Sequence, residues 1–183
     1  MSGGEPGPAA PPIRVLFVCL GNICRSPAAE GVFLHLLARE GIAEAFQVDS
    51  AGTGGWHVGK PADPRMRAAA ARRGIPLPSR ARQLEAADLE RFDHILTMDA
   101  DNLAAVRALA QRCARPGTPG SSCRATITPL VHHCRRLRSE EVPDPYYGGE
   151  EGFERVLDLL EDACAGLLES LRPAPPTPAS ERA

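Results

Sequence analysis

Apolar positions along the chain follow two rhythms that alternate from one end to the other. Ile13 to Val18 is a short, largely apolar run rich in β-branched residues, the mark of a buried strand. Phe46-Gln47-Val48-Asp49-Ser50 and Asp93 to Met98 read as two further strands. Between them the period changes to that of a helix. Ala29, Val32, Phe33, Leu36 and Leu37 keep the i, i+3, i+4, i+7, i+8 spacing of one buried face, which Gly41 ends. Asp63-Pro64 is the signature of a helix start, here for a helix ending near Gly74, and a short helix is expected from Leu84 to Glu90. Asp99 to Arg112 should form a helix with Leu103, Val106 and Ala110 inward. The clearest stripe is the last, Phe153, Val156, Leu157, Leu160, Cys164, Leu167 and Leu171, where Cys164 reads as packing. Ala125 to Val131 is a fourth strand, placed at an edge because Pro129 cannot donate to a ladder. Strands alternating with helices predict an α/β domain with a small parallel sheet and helices on both faces.

The two ends break these rhythms. Residues 1–12 (MSGGEPGPAAPP) and 172–183 (RPAPPTPASERA) are rich in Pro and small residues without periodicity, so they read as disordered tails around a domain at 13–171. A chain of 183 residues can bury one substantial core. Its net charge of -2 argues against a dedicated nucleic-acid surface, and no apolar run approaches a membrane span. Six cysteines without a signal-peptide pattern read as reduced thiols, and a cytoplasmic location is expected.

Candidate chemistry concentrates after the first strand, in Val18-Cys19-Leu20-Gly21-Asn22-Ile23-Cys24-Arg25-Ser26-Pro27. A loop that leaves a strand and opens a helix gathers backbone N–H groups and the helix dipole on one point, which suits an anion. Ser26 is expected as the helix N-cap and Pro27 as its first residue. A thiol at the head of such a loop is kept a nucleophilic thiolate, and the Arg25 guanidinium can grip phosphate oxygens in bidentate fashion. Phosphoryl chemistry on Cys19 follows as the first reading. Two plainer ones stand beside it. Cys19 and Cys24 could ligate zinc, but a structural site needs four ligands and no second close Cys or His pair lies nearby. They could also be buried apolar residues, which leaves Arg25 and Asn22 unexplained.

VCLGNICRSP resembles the signature of the low-molecular-weight protein tyrosine phosphatases, and Asp144-Pro145-Tyr146-Tyr147-Gly148-Gly149 is similar to that family's general-acid segment. The resemblance runs from about Ile13 to about Leu171. It implies a flavodoxin-like arrangement of four parallel strands, a metal-free and cofactor-free site, and hydrolysis of phosphotyrosine or small aryl phosphates, with acid phosphatase activity. Cys19 would be the nucleophile, Arg25 the phosphate clamp and Asp144 the general acid and base. On its residues alone, Asp144 between two prolines reads equally well as part of a turn. Leu20, Gly21, Asn22, Ile23, Cys24 and Ser26 would cradle the phosphate or shape the loop. Asn22 tolerates left-handed backbone and Ser26 is placed to donate to the Cys19 sulfur. Ser50 matches a supporting serine of the family. Where many animal members carry a histidine in that network, this chain has Ser79.

Trp56, Tyr146 and Tyr147 are expected as aromatic walls favouring an aryl ester. Cys24 is the candidate partner for an oxidised Cys19, making the site redox-sensitive. Asp99 reads most plainly as a helix N-cap, His35 and the Arg65, Arg67, Arg72, Arg73 group as solvated, and His94 as a local hydrogen-bonding residue. Relatives with the same loop include arsenate reductases, which need further resolving cysteines; Cys113, Cys123 and Cys134 are spaced unlike a usual redox pair. Arginine phosphatases also resemble this chain but carry threonine where Ile23 stands. A non-catalytic phosphate-binding module would be expected to lack one of Cys19, Arg25 and Asp144. A monomer is expected.

Overall fold

The computed structural model describes residues 10–119 and 121–172. Apart from residues 10–12 and Arg172, the two expected tails lie outside the described residues; residues 10–12 are exposed and carry no regular element.

Strand β1 (Ile13–Cys19) lies between β2 (Phe46–Gly52) and β3 (His94–Thr97), and β4 (Thr126–Pro129) closes the order β2-β1-β3-β4. All three pairings are parallel. The fold class is therefore the expected α/β arrangement, with β4 at an edge and Pro129 as its last residue.

Strand alternation sorts the β1 side chains into two cores. Val15 and Phe17 face α1 (Arg25–Arg39), α2 (Pro64–Arg72) and α5 (Glu150–Leu171), where the α5 stripe of Phe153, Val156, Leu157, Leu160, Cys164 and Leu167 is buried. Leu16 and Val18 face the other way, with Leu89 from α3 (Asp88–Arg91), Phe92 just after it, Ile95 from β3 and Val106 from α4 (Ala100–Cys113). Phe33 joins the helix face to the sheet through edge-to-face contacts with Phe17 and Phe46, 5.8 and 5.6 Å between centroids. Each such side chain contributes about 1.5–3 kcal/mol by leaving water.

Three boundaries and one surface assignment differ from expectation. Ser26 is not the cap of α1: the helix begins at Arg25, Cys24 holds the cap position, and no side chain bonds the first turn. The Ser26 hydroxyl is instead drawn to Cys19. The helix expected over residues 84–90 forms only at Asp88–Arg91, because Leu84 N–H donates to the Gly52 carbonyl and Gln83 bridges Gly52 beside the end of β2. β4 stops at Pro129, and Leu130–His133 turn as a 3-10 helix. The arginines of α2 are not simply solvated. Arg72 and Arg73 pair with Glu154, and Arg73 also with Asp158 and Glu161, tying α2 to α5. As expected, Asp63 caps α2 by accepting from Arg65 N–H.

No helix among the described residues is long and apolar enough to cross a membrane.

Candidate active site

The parallel register brings Cys19 opposite Gly52 and ends β3 at Thr97, so three strand carboxyl ends meet one helix amino end. This is where open α/β sheets form their sites. The loop from Leu20 to Cys24 folds tightly across the end of β2. A Cβ on Gly52 would lie 2.7 Å from the Leu20 carbonyl oxygen, so only glycine permits this approach. Asn22 adopts φ of 54°, the left-handed conformation its type tolerates, while buried.

A net of hydrogen bonds holds Asn22 there. Its Oδ1 accepts from the Arg82 N–H at 2.9 Å, which fixes the orientation of the amide. Its Nδ2 then donates both to Ser26 Oγ, at 2.7 Å, and to Ser50 Oγ, at 3.0 Å. Ser50 in turn donates to Glu30, a buried carboxylate on α1 that also bonds Ser79. Burial raises the Glu30 carboxyl above its ordinary range, against the bonds from the two serines. The Ser26 hydroxyl lies 3.0 Å from the Cys19 sulfur and 3.4 Å from the Ala51 carbonyl; with Cys19 as the thiol either group of the first pair can donate, and with Cys19 as the thiolate only Ser26 can.

Arg25 is 3% exposed and reaches across to the other elements of the site. It donates to Asp99 at 2.6 Å, to the Val142 carbonyl at 3.1 Å and to Asp144 at 3.5 Å. Burial opposes its charge, but Cys19, Asp99 and Asp144 together hold its pKa above the ordinary arginine value. Asp99 serves two partners at once, capping α4 through Oδ1 to Asn102 N–H and anchoring Arg25 through Oδ2. The loop at 142–149 is fastened by Val142 N–H to the Met98 carbonyl and by Tyr146 N–H to Asp144 Oδ1.

These side chains surround a cleft of about 420 Å³. One wall, which forms its floor, is Cys19, Leu20, Gly21, Ile23, Cys24 and Arg25; the other wall is Trp56, His57, Asp144, Tyr146 and Tyr147. The cleft thus brings together Cys19, Arg25 and Asp144 with all three expected aromatics, while Asn22, Ser26 and Ser50 lie buried behind it. Cys24 is buried, and its thiol is pushed up to about 12, first by burial and then by Asp63, Cys19 and Asp144. Among the described residues no three His, Cys, Asp or Glu side chains gather as a metal site requires.

A family model described as low molecular weight phosphotyrosine protein phosphatase matches residues 14–175. The chain belongs to that family. A low molecular weight protein-tyrosine-phosphatase of Streptomyces coelicolor is 42% identical over 159 residues, which cover 87% of this chain and 93% of the relative. The crystal structure of a protein tyrosine phosphatase from Entamoeba histolytica, with Hepes in its active site, superposes with a TM-score of 0.77 at 42% identity, covering 87% of this chain and 96% of that one. A Drosophila arginine phosphatase superposes with a TM-score of 0.79 at 29% identity, over 89% of this chain and all of the other. Membership makes the chain a protein-tyrosine-phosphatase of the low-molecular-weight type.

Within this family frame the sequence reading missed three participants. Asp99 was legible as a cap but not as the anchor of Arg25, because the pairing spans 74 residues. Glu30 sits in a helix where one acid looks like any other. His57, beside the expected Trp56, packs against the loop so closely that a Cβ on Gly21 would meet its Cδ2 at 3.0 Å.

Proposed function

We propose that this chain hydrolyses phosphotyrosine, in proteins or as small aryl phosphates, through a cysteinyl-phosphate intermediate. The Cys19 thiolate attacks phosphorus, the P–O bond to the phenol breaks, and Asp144 delivers its proton to the departing oxygen. Arg25 and the loop amides from Leu20 to Ser26 take up the charge on the equatorial oxygens, most strongly in the transition state. Water then attacks the phosphocysteine, Asp144 takes a proton from it, and the P–S bond breaks to return the thiolate. Ser26, donating to that sulfur, makes it a better leaving group. The observation that carries this reading is the meeting of Cys19, Arg25 and Asp144 in one cleft, the last two already in contact.

Trp56, Tyr146 and Tyr147 support an aryl substrate, since their rings stand around the floor and reach beyond the phosphate. Likeness to the Drosophila enzyme keeps phosphoarginine as the second reading. Ile23 on the cleft floor, where arginine phosphatases resembling this chain carry threonine, favours tyrosine. Arsenate reduction has weaker support: the cleft is lined by Cys19 and Cys24 and not by Cys113, Cys123 or Cys134. Reversible oxidation between Cys19 and Cys24 belongs to the same proposal, and six free thiols fit a reducing compartment such as the cytoplasm.

The test is hydrolysis of a chromogenic aryl phosphate by the wild type, Cys19→Ser and Asp144→Ala, with phosphoarginine and arsenate assayed beside it. Phosphate release that depends on Cys19 and exceeds turnover of phosphoarginine is expected. Equal release by Cys19→Ser would overturn the proposal.

A further inference from the structure

Of the seven large apolar side chains exposed among the described residues, four line the cleft: Leu20, Trp56, Tyr146 and Tyr147. A fifth, Val58, follows His57 on the same turn and is 58% exposed. Apolar surface is thus concentrated around the mouth, as it is on surfaces that receive a partner. Trp56 itself is 69% exposed, far more than closing a phosphate pocket requires.

Charge is distributed unevenly around the same mouth. On the side of Asp144, Arg65 lies over the Tyr146 ring but is paired with Asp63, and Glu150 is paired with Arg72. On the side of Trp56 the charged side chains are Lys60 and Arg80, both exposed. The backbone fixes these two cations beside each other and beside the cleft. Gly59 N–H donates to the Ala81 carbonyl and Ala81 N–H to the Lys60 carbonyl, both at 2.8 Å, and Pro61 bridges Arg80 antiparallel. Lys60 N–H closes a turn on the carbonyl of His57, a residue of the cleft wall, and the Arg80 guanidinium donates to the Gly59 carbonyl. The other arginines near the site are occupied: Arg25 by Asp99, Arg65 by Asp63, and Arg82 by Asp49 and Asp88. No carboxylate pairs with Lys60 or Arg80 among the described residues.

We propose that Trp56, Val58, Lys60 and Arg80 form a docking surface for the acidic flank of an extended phosphotyrosine segment. This rests on the phosphatase reading of the cleft and adds the choice of substrate. With the phosphate on Arg25 and the ring against Trp56, a segment that runs on past His57 carries a flanking carboxylate over the Lys60–Arg80 turn. Its apolar neighbour covers Val58.

The experiment compares kcat/KM for three phosphotyrosine peptides that differ only in flanking Asp/Glu, Ala or Lys, at low salt and at about 0.5 M salt. The proteins are wild type, Lys60→Glu/Arg80→Glu and Val58→Ala. Two solvent-exposed ion pairs predict a preference of roughly three- to tenfold for the acidic peptide over the alanine one. That preference is lost in salt and in the charge-reversed protein, while turnover of the chromogenic aryl phosphate is unchanged. Val58→Ala weakens all three peptides equally. Equal kcat/KM for the three peptides in active wild type overturns the docking surface and leaves the phosphatase reading intact. No turnover of aryl phosphate by wild type overturns that reading first. Concentration-dependent sedimentation that the charge reversal abolishes, without peptide preference, assigns the face to a second copy and overturns the proposal.

Discussion

On one wall of the cleft Arg25 is 3% exposed and fastened to Asp99 and the Val142 carbonyl, and Asn22 is held by Arg82, Ser26 and Ser50. On the other, the Asp144 side chain is 43% exposed, its tie to Arg25 is 3.5 Å long, and Tyr147 stands 95% in solvent. The first wall pays its ordering cost during folding, when buried polar groups must find partners. It can therefore present donors that need no rearrangement when phosphate arrives. The second wall is open to solvent. In the proposed mechanism the two divide the labour: the buried wall takes up transition-state charge, and the open one protonates the leaving group and selects the substrate.

The largest departure expected from breaking the open wall is in Asp144→Asn. It should lower kcat by about 10²–10⁴-fold for esters with poor leaving groups and much less for a nitrophenyl ester, read as the slope of rate against leaving-group basicity. A slope unchanged from wild type would place the acid elsewhere. On the buried wall, Ser26→Ala removes the donor to sulfur. A hydrogen bond to a charged group is worth about 1.5–3 kcal/mol, so breakdown of the intermediate should slow by roughly 10- to 100-fold. Stopped-flow should then show a fuller burst of phenol before the steady state; loss of the burst would mean that attack, not breakdown, had suffered.

Smaller still is the effect of Trp56→Ala, expected to cut the ratio of aryl to alkyl phosphate turnover by roughly three- to tenfold, the scale of one aromatic contact. An unchanged ratio would remove Trp56 from substrate selection. Least affected is turnover in Cys24→Ser, which should stay within about twofold, because a thiol pushed up to about 12 carries no charge at neutral pH. The difference should appear instead in recovery. After mild peroxide and a reductant, wild type regains activity and Cys24→Ser does not, as mass spectrometry of the Cys19 peptide would follow. Equal recovery would break the link between the two thiols.

The same contrast governs what could be read in the chain. The cradle is contiguous, Cys19 to Ser26, and its strand and helix announce themselves by period, so both fold and floor were legible. The partners that fix it were not. Glu30 lies 20 residues from Ser50, Asp99 74 from Arg25, and Val142 117 from Arg25. Local pattern carries no information about such meetings, which parallel register creates. Ser26 shows a second limit. Its type and the following proline fit a cap, yet its hydroxyl lies 3.0 Å from the Cys19 sulfur, and the helix starts two residues earlier than that cap implies, without a side-chain cap. Arg72 and Arg73 show a third, since a basic face looks solvated until the acids of α5 are seen opposite.

The central claim is that the buried wall holds a nucleophile which takes the phosphoryl group onto sulfur. Rapid acid quench of Asp144→Ala during turnover of an aryl phosphate, followed by peptide mass spectrometry, tests it most directly. The account predicts one phosphoryl group on the peptide containing Cys19, lost in Cys19→Ser and chased by excess unlabelled substrate. Phosphate released at the wild-type rate with no phosphorylated cysteine at any quench time would contradict it.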